Sequence, residues 1–179
     1  MDDPVILTVR FDADSEARFE AARERWFPPR LNVVPAHLTL FHKLPGEELG
    51  ALRETVARAL AGEAPFPARV ATVVPLGGGW AFRVAAEPLD ALRARLAKAF
   101  APWLTAQDAQ GFRAHVTIQN KVGRASAKAC GEAIRAEFSP WEATVTGVRL
   151  WAYRGGPWEA LDELSLGGGG DDDGDGRDG

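Results

Sequence analysis

Two octapeptides, "AHLTLFHK" at 36–43 and "AHVTIQNK" at 114–121, share histidine, threonine and lysine at the same offsets, although they lie nearly half the chain apart. Each alternates apolar and polar residues closely enough to read as a β-strand. The elements around them recur too. A helical stripe precedes each octapeptide and another follows it. A unit repeated at this spacing within 179 residues predicts an internal duplication, two matching halves sharing one body, rather than a solenoid.

The first half opens with a strand over Val5 to Phe11. Asp14 or Ser15 then caps a helix with Phe19, Ala22 and Trp26 on one face. After the first octapeptide, Leu49, Leu52, Val56 and Leu60 form a second helical stripe. A hairpin over Arg69–Val74 and Trp80–Ala86, turning at "PLGGG", leads into the second half. Leu89, Leu92, Leu96, Phe100 and Trp103 mark a helix behind Pro88, and Ser126 caps one running to about Phe138. Trp141–Tyr153 and Trp158–Leu166 close the chain as a hairpin around "RGGP". Strands whose neighbours are hairpins as well as helices predict an α+β fold rather than a doubly wound parallel sheet. Residues 1–166 are expected to form one domain, and the acidic, glycine-rich stretch 167–179 is expected to be disordered.

Strand side chains alternate, so one face of the first octapeptide carries His37, Thr39, Phe41 and Lys43. The matching face of the second carries His115, Thr117, Gln119 and Lys121. The opposite faces, Leu38 with Leu40 and Val116 with Ile118, suit a core. Residues two apart on a strand sit about 6.5 Å apart, so a histidine and a threonine there reach one phosphate group. Two such strands face to face place an imidazole on each side of a phosphorus atom, one to take a proton and one to give it. Lys43 and Lys121 add positive potential, and Phe41 either stacks a base or packs. Alternation sends His42 to the Leu38/Leu40 face at the strand end, away from the cleft, unless a bulge turns it inward. Arg149, Trp151 and Tyr153 share a face of the last hairpin, as cleft wall or as ordinary core and surface.

Charge and composition narrow the partners. Without the five Asp and one Arg of Gly167–Gly179, 20 Lys+Arg face 20 Asp+Glu, which argues against a grip on long nucleic acid through bulk charge. The single cysteine, Cys130, falls in a helical apolar pattern and reads as a buried structural thiol. Neither strand sets a carboxylate beside its histidine, so no metal and no cofactor are expected. The three glycines Gly77–Gly79 precede a strand and not a helix, which makes them a turn rather than a phosphate cradle. With no signal-peptide pattern and no membrane-length apolar run, the expectation is a cytoplasmic protein. The duplication completes the site within one chain, so a monomer is expected.

The paired motifs "HLTL" and "HVTI", with the order of helices and strands over about residues 5–166, resemble the 2H phosphoesterase superfamily. That group includes bacterial 2′-5′ RNA ligase-like proteins and cyclic nucleotide phosphodiesterases. The resemblance implies two pseudo-twofold-related lobes, antiparallel sheets lining a central cleft, and helices outside. It implies metal-independent chemistry on RNA ends or small nucleotides, opening 2′,3′-cyclic phosphates to 2′-phosphates or reversibly forming 2′-5′ linkages. Carried over by position, His37 and His115 become the acid/base pair, and Thr39 and Thr117 the phosphate-binding hydroxyls. A non-catalytic nucleotide sensor using the same cleft is the alternative.

Overall fold

The computed structural model describes residues 2–167, so the acidic stretch beyond Gly167 lies outside the described residues. In chain order it contains β1 (Val5–Phe11), α1 (Ala13–Trp26), β2 (Thr39–Leu44), α2 (Leu49–Leu60) and β3 (Phe66–Leu76). These are followed by β4 (Gly79–Ala85), α3 (Glu87–Ala99), β5 (His115–Gln119), α4 (Arg124–Glu137), β6 (Trp141–Ala152) and β7 (Glu159–Ser165). The fold is α+β, with a seven-stranded antiparallel sheet.

Two helix starts differ from the sequence reading. The cap of α1 is Asp12, whose carboxylate accepts from the Ser15 N–H at 3.2 Å, the Ser15 hydroxyl at 2.6 Å and the Thr144 N–H at 2.8 Å. One side chain therefore starts the helix and pins it to β6. The last helix begins at Arg124 behind Gly123, which puts Ser126 inside it. Gly131 in that helix faces the Trp80 ring so closely that a Cβ would stand 2.2 Å from it. The absence of a side chain there lets α4 lie directly on β4.

The sheet runs β2-β1-β6-β3-β4-β5, with β7 paired to β6. Exchanging β1 with β4, β2 with β5 and β3 with β6 reverses this order onto itself, which is the pseudo-twofold. The last strand of each repeat lies in the other repeat's lobe, β6 beside β1 and β3 beside β4. The two lobes are joined through the β3–β6 pairing into one hydrogen-bonded sheet. Helices cover its apolar face over a core that includes Leu7, Phe19, Leu38, Leu40, Leu52, Val70, Leu92, Val116, Ile118 and Leu150. Cys130 belongs to this core, and burial pushes its thiol up to about 11, as a structural cysteine requires.

Both motif strands break register at the same place. Thr8 pairs with Thr39 but Leu7 with Phe41, leaving Leu40 as the extra residue. Ala81 pairs with Thr117 but Trp80 with Gln119, leaving Ile118 extra. Each strand thus has a β-bulge directly after its threonine, which shifts the alternation by one residue, and β2 breaks register a second time between Phe41 and Leu44. The consecutive pairs Leu40–Phe41 and Ile118–Gln119 are all buried.

Candidate active site

The bulges decide which side chains meet. A cleft of ≈140 Å³ is lined by Ile6, His37, Thr39, His42, His115, Thr117 and Trp158. His37, Thr39, His115 and Thr117 therefore converge across the two edge strands of the sheet. Phe41 does not join them. It is fully buried, edge-on to Phe100 at 5.2 Å between ring centres and under the Arg93 guanidinium at 3.9 Å. The reading of Phe41 as a base-stacking surface is corrected by the bulge that turns it into the core. Gln119 is turned inward likewise and is 3 % exposed. Lys43 and Lys121 are exposed and outside the cleft lining. Lys121, at φ 59°, already belongs to the turn beyond β5.

His42 goes the other way. The same bulge that buries Phe41 brings His42 onto the cleft, against the simple alternation. Its Nδ1 lies 3.0 Å from Asp108 Oδ1, and the buried Asp108 carboxylate also accepts the backbone N–H groups of His42 and Lys43 at 2.8–3.0 Å. Burial pushes that carboxyl up, but the bonds from His42 and Lys43 outweigh it and hold the group below the usual carboxylate range.

The two motif histidines are oriented alike. His37 Nδ1 is 2.8 Å from the Pro35 carbonyl, and His115 Nδ1 is 2.8 Å from the Arg113 carbonyl. A carbonyl can only accept, so each Nδ1 carries the proton and each Nε2 is left for the cleft. Trp158 packs on the His37 ring at 4.5 Å between centres, and Trp151 backs Trp158 at 6.0 Å while donating Nε1–H to Thr8 Oγ1. Burial, with smaller effects of Arg23, His115 and His42, brings His37 down to about 4. His37 is thus a neutral imidazole at neutral pH.

Two arginines hold the motif strands in place. Arg23 of α1 donates to the Thr117 carbonyl at 3.1 Å, and Arg93 of α3 donates to the Leu40 carbonyl at 2.7 Å. Each helix in the first half of its repeat reaches the motif strand of the other repeat, at its bulge. Arg23 also binds Asn32 Oδ1 at 3.1 Å, and Glu20 accepts the Ala36 N–H, which fixes the segment that carries Pro35. Arg93 donates to the Asp108 carbonyl at 2.6 Å, so one guanidinium joins the β2 bulge to the carboxylate of His42. Both arginines are buried, and desolvation lowers both from the ordinary guanidinium value. Their signal was in the sequence: Arg23 lies four residues after Phe19, and Arg93 four after Leu89, on the apolar stripes themselves.

The remaining cations differ between lobes. Arg149 is paired with Glu16 and Glu163, and Arg10 with Glu163, so neither offers a free charge. Arg83, directly across from His115 in the β4–β5 register, has no ion-pair partner among the described residues. Among the described residues no group of three His, Cys, Asp or Glu is arranged to hold a metal ion, and no helix is long and apolar enough to cross a membrane.

The antiparallel sheet thus brings two histidine–threonine pairs from its two edge strands to one cleft. A family model of the 2′-5′ RNA ligase superfamily matches residues 11–157, and the chain belongs to that superfamily. Solved structures agree in fold. The protein TT0787 of Thermus thermophilus is 21% identical, with a TM-score of 0.64 over 91% of this chain and 97% of that one. E. coli LigT complexed with 3′-AMP is 18% identical, with a TM-score of 0.61 over 93% and 99%. LigT complexed with NADP+ gives 19% and 0.58, over 93% and 99%. No curated protein sequence matches the chain.

Proposed function

We propose that the protein is a metal-independent phosphoesterase of RNA ends or small nucleotides that opens 2′,3′-cyclic phosphates to 2′-phosphates. With the 5′-hydroxyl of a second ribose in place of water, the same ring-opening forms a 2′-5′ linkage, and its reversal, attack of the 3′-hydroxyl on that linkage, cuts it. The observation that carries this reading is the pair of histidines that present Nε2 to one cleft, each held by the carbonyl two residues earlier. Superfamily membership supports it.

His37, kept neutral by its surroundings, is the base. Its Nε2 takes a proton from water as the water oxygen bonds to phosphorus. The phosphorus–O3′ bond breaks, and His115, as an imidazolium, passes its Nε2 proton to that oxygen. Thr39 and Thr117 donate hydroxyl hydrogen bonds to the non-bridging oxygens, and Arg83 supplies positive potential on the His115 side. The Trp158–Trp151 wall keeps water from the outer face of His37.

The test is turnover of nucleoside 2′,3′-cyclic phosphates in chelator. The expected result is a 2′-phosphate product and a bell-shaped pH profile, since one histidine must be neutral and the other charged. Tight nucleotide binding without turnover would replace this reading with the sensor. Loss of turnover on adding chelator would replace it with metal chemistry.

A further inference from the structure

Two of the three histidines carry the chemistry proposed above; the third stands in the same cleft with the most elaborate support of the three. His37 and His115 each rest on a single backbone carbonyl. His42 instead rests on a carboxylate that is itself buried, with only 1 % of the Asp108 side chain exposed. Burying a carboxylate is costly unless hydrogen bonds replace its water, and here they do. Asp108 Oδ1 receives the His42 N–H and faces Nδ1, and Oδ2 receives the N–H groups of His42 and Lys43. Arg93 ties the Asp108 backbone to the β2 bulge. A carboxylate can only accept, so it keeps the proton on Nδ1 and leaves Nε2 as the atom that His42 shows to the cleft.

The equivalent position in the second repeat shows that the fold does not require this device. Asn120 follows the β5 bulge as His42 follows the β2 bulge, and among the described residues its Oδ1 accepts only the neighbouring Lys121 N–H, at 2.9 Å. The β5 bulge therefore stands without a buried carboxylate behind it. Nor is His42 packed away as a structural residue, since 45 % of its side chain is exposed.

We infer that His42, as the imidazolium paired at Nδ1 with the Asp108 carboxylate, is a third substrate-contacting imidazole, that it binds an anionic oxygen of the substrate phosphate through Nε2–H, and that Asp108 is its positioning residue. This rests on the phosphoesterase reading for the identity of the ligand. His42 transfers no proton in the scheme above. It holds the phosphate, which predicts an effect on binding more than on the chemical step.

The experiment follows the three imidazoles by long-range proton–nitrogen NMR while the full chain is titrated with 2′-AMP, each resonance being assigned from a single histidine variant. The His42 Nε2 resonance is expected to move together with those of His37 and His115. In kinetics with adenosine 2′,3′-cyclic phosphate, His42→Ala raises KM about tenfold or more, the loss of a hydrogen bond to a charged group, with kcat within a few-fold. Asp108→Asn raises KM less, and adds nothing in a His42→Ala background because it acts through His42. A His42 resonance that stays fixed while the other two move, or a His42→Ala variant with wild-type KM, overturns the assignment. If Asp108→Asn does not fold, the titration and His42→Ala still decide. A wild type that binds 2′-AMP at His42 but turns nothing over sinks the phosphodiesterase reading and supports this one.

Discussion

The β2 and β5 sides of the cleft share one plan as far as the bulge and then diverge. Both present a histidine held at Nδ1 by a carbonyl, a threonine two residues on, and an arginine from the other repeat's helix at the bulge. On the β2 side, Trp158 covers the histidine and His42 with Asp108 follows the bulge. On the β5 side the post-bulge residue is Asn120, and among the described residues no ring packs on His115 and no ion-pair partner meets Arg83 across the strand. Duplication supplies two equal imidazoles, but acid–base chemistry needs two unequal ones. The differences outside the motifs create that inequality. They take His37 to about 4 and surround His115 with different neighbours.

The comparison breaks first on the histidines themselves. His37→Ala and His115→Ala are each expected to lower turnover of 2′,3′-cyclic phosphates at least a hundredfold, within the usual ~10²–10⁴ range for a general acid or base. Retention of activity by either variant would dissolve the pairing. Next come the arginines. Arg23→Met and Arg93→Met remove the guanidinium donors to the half-buried Thr117 carbonyl and the buried Leu40 carbonyl, and each is expected to lower unfolding free energy by about 1–3 kcal/mol in denaturant titrations. Arg93→Met should also raise KM, since it loosens the mount of His42, whereas Arg23→Met should disturb the His115 side. Identical kinetic profiles for the two would show that the bulges are not individually held.

A gentler change sharpens the contrast between the imidazoles. Trp158→Ala opens the His37 ring to water, so its pKa should rise from about 4 toward the ordinary 6.5, and the acid limb of kcat/KM should move to higher pH with it. NMR titration of His37 reads this directly, and an unmoved value would mean that Trp158 does not exclude water there. The smallest effect is on stability. The unfolded chain takes up a proton at His37 near 6.5 and the folded chain only near about 4. Stability is therefore full above the first value and declines as pH falls toward the second. In His37→Asn that part of the pH dependence should vanish, as measured by denaturant midpoints between about pH 4 and 7.

The sequence carried the duplication, the first strand to the residue, and the four side chains that pair across the cleft. It misled where alternation was extended past the threonines. Alternation holds only when paired strands contribute equal numbers of residues, and a bulge is a property of the pair, not of either strand alone. Leu40 beside Phe41 was the visible trace in β2; "TIQ" in β5 left none. Asp108 was hidden for a different reason. It sits in a turn, where a carboxylate is ordinarily solvated, and only the approach of β2 gives it three donors to accept from, the His42 and Lys43 backbone N–H groups and His42 Nδ1. Trp158 was visible only as the start of a strand, because its contact with His37 spans most of the chain.

The exchange of β3 and β6 between lobes bears on how the chain is assembled. A chain severed at the turn between β3 and β4 would yield two pieces, neither owning a complete lobe. The first would have β1 and β2 without β6, and the second β4 and β5 without β3. Each would also lack the arginine that steadies its own motif strand. Two such pieces become whole only in each other's company, as the halves of a twofold dimer do, and the covalent link between β3 and β4 makes that partnership permanent.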